Sequence, residues 1–561
     1  MATQRADPAL LTLPLKILPD PLHVPPLSRP FAIAITPPGS KSLTNRAILL
    51  AALSRGRSIL RNPLLGADDT ERMLEAIEQL GATVERTDDG DLHITGVTGR
   101  WRPPSSRGMG TQRTSPPPSP PPSGGGVTLN LQNAGTATRF LTAAAILAEP
   151  ATGPITIDGN ARMRERPIKE LGDALTSIGV KVEYPLKEGY PPIRIHPPAS
   201  LYEIDSEITF GRTASSQFIS AILLIAPWLP KGMTVHFTEP PTSPSYISMT
   251  TGLLRRCGFQ VKGDVFDLAH GDDLDEPPLP GSPSPESPPA PTSRLPAPEP
   301  ESPPSSPPAP PHRPPGALPG PITVSPAPYL QSTDRLAPDG IDLVIEPDAS
   351  SATYFLAAAA ITPRSLCTIR ALPWPSLQGD AEFATVLRSA GAEVVQSPRG
   401  TSVRNRQIPL DPFAYDFTNM PDAALTAAAV ACFAEGRSML WGLRTLRVKE
   451  TDRIEALKTE LAKVGVEITS ERGSSASKEE GASPDDEFLV INAPPGGIDR
   501  SANVPRVEFD TYDDHRMAMA LALIALRRPN TCIRNPACVA KTYPGFWRDL
   551  ARLYGVLKPE R

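Results

Sequence analysis

The sequence predicts an α/β protein of two domains, each built from three repeated units that bury their helices inside and lay their sheets outside. Two recurring features carry this prediction. Six Ala-rich apolar helices each open on a cluster of small polar or charged residues. They begin at Ser40-Lys41-Ser42, Gly135-Thr136-Ala137-Thr138-Arg139, Ser215-Ser216-Gln217, Asp348-Ala349-Ser350-Ser351, Pro421-Asp422 and Asp514-His515-Arg516. The second feature is a Gly that closes a helix shortly before a strand, as in Leu80-Gly81-Ala82-Thr83-Val84, Ile178-Gly179-Val180-Lys181-Val182 and Cys257-Gly258-Phe259-Gln260-Val261. It returns at Ala390-Gly391-Ala392-Glu393-Val394 and Val464-Gly465-Val466-Glu467-Ile468, and a sixth, truncated by the chain end, stands at Tyr554-Gly555. Gly suits this place because the chain leaving a helix takes a left-handed conformation that a Cβ disfavours. Starts and stops alternate, giving six units of roughly 70–80 residues once inserts are removed. Helices apolar all round need cover on every side, so three pack together beneath outer sheets in each domain.

The elements of the first unit follow in order. Alternation predicts a strand over 31–35, and the apolar run 45–53 a buried helix. A short strand over 58–61 leads to an amphipathic helix over 69–80, with Met73, Leu74, Ile77 and Leu80 on one face and Asp68 or Asp69 as its cap. Strands over 84–86 and 92–95 close the unit. The 71 prolines concentrate in two tracts, 103–122 with Ser and Gly and 277–319 with Ser, Ala and Glu. Such sequence cannot bury a core and reads as surface insertion, as does the polar stretch 471–487.

Composition narrows the function. A formal charge of −5 over 561 residues gives no reason to expect nucleic acid as a partner. The basic residues of interest are scattered one or two per unit, which suits a small anionic ligand. Cys257, Cys367, Cys432, Cys532 and Cys538 form no CxxC pair and read as reduced thiols of a cytoplasmic protein. No segment is apolar for the ~18 residues that a membrane span needs. The N-terminus carries Asp7 and Asp20 among early prolines, unlike a signal or transit peptide.

The helix starts point to chemistry. A buried helix has no need of a Lys or Arg in its first turn, where the macrodipole is already positive. The cation becomes sensible if an anion sits there, held also by free backbone N–H groups. Six such starts predict one large anion-binding site assembled from distant segments.

The motifs at these starts resemble those of the 5-enolpyruvylshikimate-3-phosphate synthase family. They are Pro38-Gly39-Ser40-Lys41-Ser42-Leu43-Thr44-Asn45-Arg46, Asn133-Ala134-Gly135-Thr136-Ala137-Thr138-Arg139, Arg162-Met163-Arg164-Glu165-Arg166-Pro167-Ile168 and Ser215-Ser216-Gln217-Phe218. The second half adds Asp348-Ala349-Ser350-Ser351, Pro421-Asp422-Ala423-Ala424, Arg447-Val448-Lys449-Glu450-Thr451-Asp452-Arg453 and Asp513-Asp514-His515-Arg516-Met517. The resemblance implies two inverted domains with the active site in the cleft between them. It gives boundaries of 41–346 for the first domain, with insertions at about 102–125 and 264–320. The second domain takes 20–40 and 347–561, with an insertion at about 471–487, so the N-terminal strand belongs with it.

The reaction implied by resemblance transfers the enolpyruvyl group of phosphoenolpyruvate to the 5-hydroxyl of shikimate 3-phosphate and releases phosphate, a step toward chorismate and the aromatic amino acids. It needs no metal or organic cofactor, and a monomer is the family default. Lys41, Ser42, Arg46, Ser215, Ser216, Gln217, Ser243 and Tyr246 are the implied ligands of shikimate 3-phosphate, together with Asp422 and Lys449. Lys41, Gly135, Arg162, Gln217, Arg453, Arg516 and Lys541 are implied for phosphoenolpyruvate. Asp422 is the candidate general base for the 5-hydroxyl and also a candidate helix cap; Lys41, Lys449 and Glu450 are candidates for proton transfer, with His515 either a contributor or a structural residue. Thr445 stands where the family often carries an Asn that binds the shikimate phosphate, and its shorter hydroxyl makes that contact less direct. The family further implies that glyphosate occupies the phosphoenolpyruvate pocket beside Gly135. A related transferase acting on UDP-N-acetylglucosamine commonly uses a loop Cys, and none of the five here lies in a comparable motif. A non-catalytic anion-binding scaffold would gain nothing from Asp422 and Glu450 in the cleft.

Overall fold

All six helix starts open helices in the computed structural model, which describes residues 7–103, 126–266, 318–327, 340–406, 409–472 and 487–557. The buried helices are Lys41–Leu53, Gly135–Ala144 and Gln217–Ile225 in one half, and Ala349–Ile361, Ala424–Ala431 and His515–Ala525 in the other. Ser40, Asp348 and Asp514 cap theirs by accepting backbone N–H bonds from Leu43, Ser351 and Arg516. Gly81, Gly179, Gly258, Gly391, Gly465 and Gly555 all have positive φ, between 72° and 108°, as the helix-closing role requires.

Among the described residues the strands form six sheets, and five share one topology. A parallel pair is extended by two antiparallel strands; Val127–Asn130 beside Ile155–Asp158, then Ile193–His196 and Lys181–Glu183, is one case. The sixth sheet pairs Val507–Phe509 with Thr531–Ile533 and is completed by Leu22–His23 from the other end of the chain. The last unit is therefore not simply truncated: the N-terminus supplies an antiparallel strand.

Two strand exchanges tie the halves. Ala32–Ile35 lies parallel to Leu366–Arg370, whereas Asp342–Val344 lies parallel to Arg57–Arg61. The chain thus crosses twice, and both crossings run side by side: Ser40 N–H donates to Glu346 O at 2.8 Å and Asp348 N–H to Pro38 O at 2.8 Å. Gly39 is needed here because a Cβ would stand 1.9 Å from Asn62 O. The buried apolar residues accordingly fall into two cores. One runs from Leu43 to Ile345; the other joins Leu11–Ile35 to the residues from Ala349 to Leu553.

Three local expectations need correction. The first amphipathic helix is Asp68–Gln79, and neither Asp68 nor Asp69 caps it: both stand in its first turn behind Ala67. Asp422 does not cap a helix either, since it lies within the 3-10 turn Pro421–Ala423 with its side chain turned to cations. The ends of the polar stretch 471–487 are strand, because Glu467–Arg472 and Glu487–Asn492 form a hairpin. Its interior 473–486, and most of both Pro-rich tracts, lie outside the described residues. No helix among the described residues is long and apolar enough to cross a membrane.

The second Pro-rich tract enters and leaves through one sheet, where Val261–Lys262 pairs with Ile322–Val324. Pro319 is already buried, so the tract that can be exchanged ends at 317. Replacing 277–317 by a short Gly/Ser linker is expected to leave melting temperature and turnover within error of the parent, since loop length costs stability only slowly. A clear loss of either would mean the tract packs on the domains.

Candidate active site

The starts of five of the six buried helices, all but that at Asp348, converge on one cleft of about 930 Å³, part of it open to solvent, lined from both halves of the chain. Its wall carries seven cations, Lys41, Arg46, Arg139, Arg166, Lys449, Arg453 and Arg516, against three carboxylates, Asp69, Asp422 and Glu450. Small polar groups fill the gaps: Ser42, Gly135, Thr136, Ser215, Ser216, Gln217, Ser243, Tyr246 and Thr445. Such an excess of buried positive charge is favourable only with anions present.

The second half builds its wall around Asp422. Its Oδ1 accepts from Arg453 Nη1 at 2.8 Å and lies 3.2 Å from Lys449 Nζ. Its Oδ2 lies 3.1 Å from Arg516 Nη2 and accepts from the Tyr246 hydroxyl at 3.3 Å, a bond across the two halves. Burial raises the Asp422 pKa, but Arg516, Lys449, Arg453 and Lys41 outweigh it and hold the carboxyl well below its ordinary value. Glu450 bridges Arg453 Nη2 at 3.0 Å and Lys541 Nζ at 2.9 Å, and against burial those cations hold it well down too. Lys449 moves the other way: burial lowers its pKa more than Asp422 raises it. Arg453 is spent on protein groups, with its fork also closed on Asp514 at 2.8 and 3.2 Å.

The first half is wired differently. Arg46 is 1% exposed yet donates only to neutral oxygens: Thr250 Oγ1 at 2.8 Å, Ser42 O at 2.9 Å, Tyr246 O at 3.1 Å and Ser220 Oγ at 3.2 Å. Burial brings its pKa down to about 10. Arg139, one turn into its helix, donates to Gly135 O at 3.1 Å and Pro167 O at 3.2 Å. Burial, then the neighbouring Arg166, lowers its pKa well below normal. No carboxylate among the described residues lies within ion-pair distance of Arg46, Arg139 or Arg166. A guanidinium does not give up its proton in such a place, so these buried cations suit an anionic ligand. Gly135 sits against this pair: a Cβ would stand 2.8 Å from Arg166 Nη1 and 3.0 Å from Arg139 Nη1.

The remaining predicted positions fall as follows. Gln217 Nε2 donates to Thr136 Oγ1 at 3.2 Å, joining two helix starts. Ser243 takes a left-handed φ of 49°, a turn followed by Ser245, whose hydroxyl donates to Asn419 O of the other half at 2.5 Å. Thr445 lines the cleft and its buried Oγ1 has no hydrogen-bond partner. Buried His515 stands behind the wall, its pKa driven well below 6.5 by desolvation, so it is neutral. Lys541 reaches the site through Glu450 and donates to Asn133 O at 3.3 Å.

Arg162 is the exception. It pairs with Glu165 at 2.8 Å and donates to the backbone of Glu450 and Lys449 at 3.1 and 3.0 Å, so it latches the halves together from outside the cleft. The 3-10 turn Met163–Glu165 separates it from Arg166, and Arg166 is the one that faces the cleft. Sequence reasoning also gave no ligand or catalytic role to Asp69, Thr136 or Arg139. For Arg139 a signal existed, because it follows Gly135 by one helical turn and so shares its face.

A two-domain α/β fold with a cation-lined, anion-binding cleft is that of the enolpyruvyl transferases, and the comparisons agree. The family model described as EPSP synthase (3-phosphoshikimate 1-carboxyvinyltransferase) matches residues 28–268 and 322–550, so the chain belongs to that family. The 3-phosphoshikimate 1-carboxyvinyltransferase of Mannheimia haemolytica is 33% identical over 519 residues, covering 92% of this chain and 95% of its own. That of Burkholderia cenocepacia is 35% identical over 522 residues, with 92% and 95% covered. The solved EPSP synthase from Acinetobacter baumannii matches with a TM-score of 0.62 at 20% identity, covering 94% of this chain and 97% of that one. The enolpyruvyl transferase NikO from Streptomyces tendae matches at 0.56 and 14%, covering 96% and 98%. These two likenesses speak for the fold.

Proposed function

We propose that the cleft binds shikimate 3-phosphate and phosphoenolpyruvate, transfers the enolpyruvyl group to the 5-hydroxyl and releases inorganic phosphate. The observation that carries this reading is the set of three buried arginines without carboxylate partners, facing a carboxylate cluster across one cleft. Both substrates are phosphorylated carboxylates, and Arg grips such oxygens in a planar fork. Arg46 with Ser42, Ser215, Ser216, Gln217, Ser243 and Tyr246 forms the shikimate 3-phosphate side, and Thr445 offers its hydroxyl there. Arg166 takes the phosphoenolpyruvate role expected of Arg162, with Arg139, Arg516, Arg453 and Lys541 around it. We divide the domains as 41–346 against 20–40 with 347–561, and buried Leu11 extends the second one toward the N-terminus.

Chemistry then follows from proton positions. Lys449, whose buried ammonium holds its proton less tightly than a free lysine, or Lys41 protonates the methylene of phosphoenolpyruvate and makes C2 electrophilic. The 5-hydroxyl adds to C2 and gives its proton to Asp422, forming a ketal phosphate. Arg516 and Lys449 lower the basicity of Asp422, and anions that share their charge would raise it again. Loss of a proton from the new methyl group to Glu450 or to the neutral lysine left by the first step, with departure of phosphate, gives the enol ether. The five free cysteines fit a reducing, cytoplasmic setting, and we take the enzyme as a monomer.

Purified protein is expected to release phosphate with shikimate 3-phosphate and phosphoenolpyruvate, and none when UDP-N-acetylglucosamine replaces the acceptor. Binding of both ligands without turnover would return the protein to the scaffold reading. Gly135→Ala adds a methyl that meets the ends of Arg166 and Arg139, both able to shift slightly. A modest rise in KM for phosphoenolpyruvate is expected, with a larger rise in the inhibition constant for glyphosate, the longer ligand of this pocket. Steady-state kinetics on both proteins decides it: equal shifts would show that Gly135 does not limit that end of the pocket.

A further inference from the structure

One carboxylate in the cleft works against its purpose. Asp69 is 2% exposed and lines the wall, where its charge repels any incoming phosphate or carboxylate. Its Oδ2 lies 3.4 Å from Lys41 Nζ, while its Oδ1 is buried without a hydrogen-bond partner. The helix starts explain how the pair persists. Lys41 is the first residue of Lys41–Leu53, at the positive end of that helix, where a cation is disfavoured. Asp69 is in the first turn of Asp68–Gln79, at the positive end of its own helix, where a carboxylate is favoured. The first-turn Asp therefore offsets the first-turn Lys, and two elements that meet at the cleft fix both ends of the pair. The same helix packs on the Pro536–Lys541 turn of the other half. There burial opposes the Lys541 charge, while Glu450 and then Asp69 support it, with a net upward shift.

We infer that Asp69 is a positioning residue for the transfer reaction: it holds the Lys41 ammonium in place at the cleft wall before the two anions arrive. Resting on the function proposed above, the inference explains why a carboxylate is tolerated among anion ligands. Fixing a reacting group by about 1 Å is worth on the order of a hundredfold in rate. A general anion-binding role for Asp69 would have the opposite sign, since removing it should then weaken binding.

The test is a cycle of Asp69→Asn, Lys41→Met and the double variant, with Asp69→Glu as the conservative change. Asp69→Asn is expected to lower kcat roughly ten- to hundredfold, with KM for phosphoenolpyruvate unchanged or lower and melting temperature retained. Asp69→Glu should recover part of kcat, and the double variant should be no slower than Lys41→Met alone. Wild-type kcat in Asp69→Asn, a raised KM at unchanged kcat, or losses that multiply in the double variant would each overturn the inference. A second readout needs no turnover: amine-directed acylation of the substrate-free protein, followed by mass spectrometry, should label Lys41 several-fold faster in Asp69→Asn. Equal labelling rates would show that the carboxylate does not hold the ammonium. An inactive wild type would sink the proposed function alone, and the labelling comparison would still decide the role of Asp69.

Discussion

Lys41→Met is expected to lower turnover by roughly two to four orders of magnitude while the protein stays folded, the scale of losing an acid–base group together with an electrostatic contact. Lys41 is tied to both halves at once. Its backbone N–H donates to Asp348 Oδ2 at 3.3 Å, beside the double crossing, while its side chain pairs with Asp69 in the first half. Its charge also helps to hold Asp422 ionised from across the cleft. Met keeps much of the apolar stem, and the side chain is only 13% exposed, so the packing loss is small. Substrate affinity and turnover should therefore separate: the seven-cation wall loses one member, but the reaction loses a proton carrier. Near-wild-type turnover in a folded variant would remove Lys41 from the mechanism.

The sequence carried the repeat and the convergence of helix starts because both are local statements. A Gly at positive φ and an Ala-rich run beginning with Ser, Asp or Lys mean the same thing wherever they occur. What escaped was set by distance or direction. Leu22–His23 is only two residues long and pairs with Cys532 and Ile533 at the far end of the chain, so no periodicity announces it. Arg162 and Arg166 share a motif, and only the 3-10 turn between them decides which guanidinium enters the cleft. Asp69 looked like a cap because an Asp before an apolar helix usually is one. It became a cleft residue through a lysine 28 positions earlier in the chain, and a reading of one element at a time cannot supply such a partner.

The largest effect on stability is expected from Arg453→Met. Arg453 is 1% exposed and is held by three carboxylates: Asp514 through two bonds, Asp422 at 2.8 Å and Glu450 at 3.0 Å. Its replacement leaves Asp514, itself fully buried, without its main counter-ion and strips a cation from both cleft carboxylates. Breaking a buried pair by removing one partner costs about 3–5 kcal/mol, and chemical denaturation should show that loss with an unchanged slope. Arg453→Lys should recover less than half, because an ammonium cannot close a fork on Asp514 while still reaching Asp422 and Glu450. The pH dependence has a definite sign. Asp422 and Glu450 are depressed in the folded state, so their pairing stabilises the protein fully above their unfolded values near ~4 and fades as pH falls through the folded values. The gap between wild type and Arg453→Met should therefore be widest at neutral pH and narrow below about pH 4. A gap that stays constant down to pH 3, or one below about 1 kcal/mol at pH 7, would mean that the carboxylates find other partners and that Arg453 is not the hub of this wall.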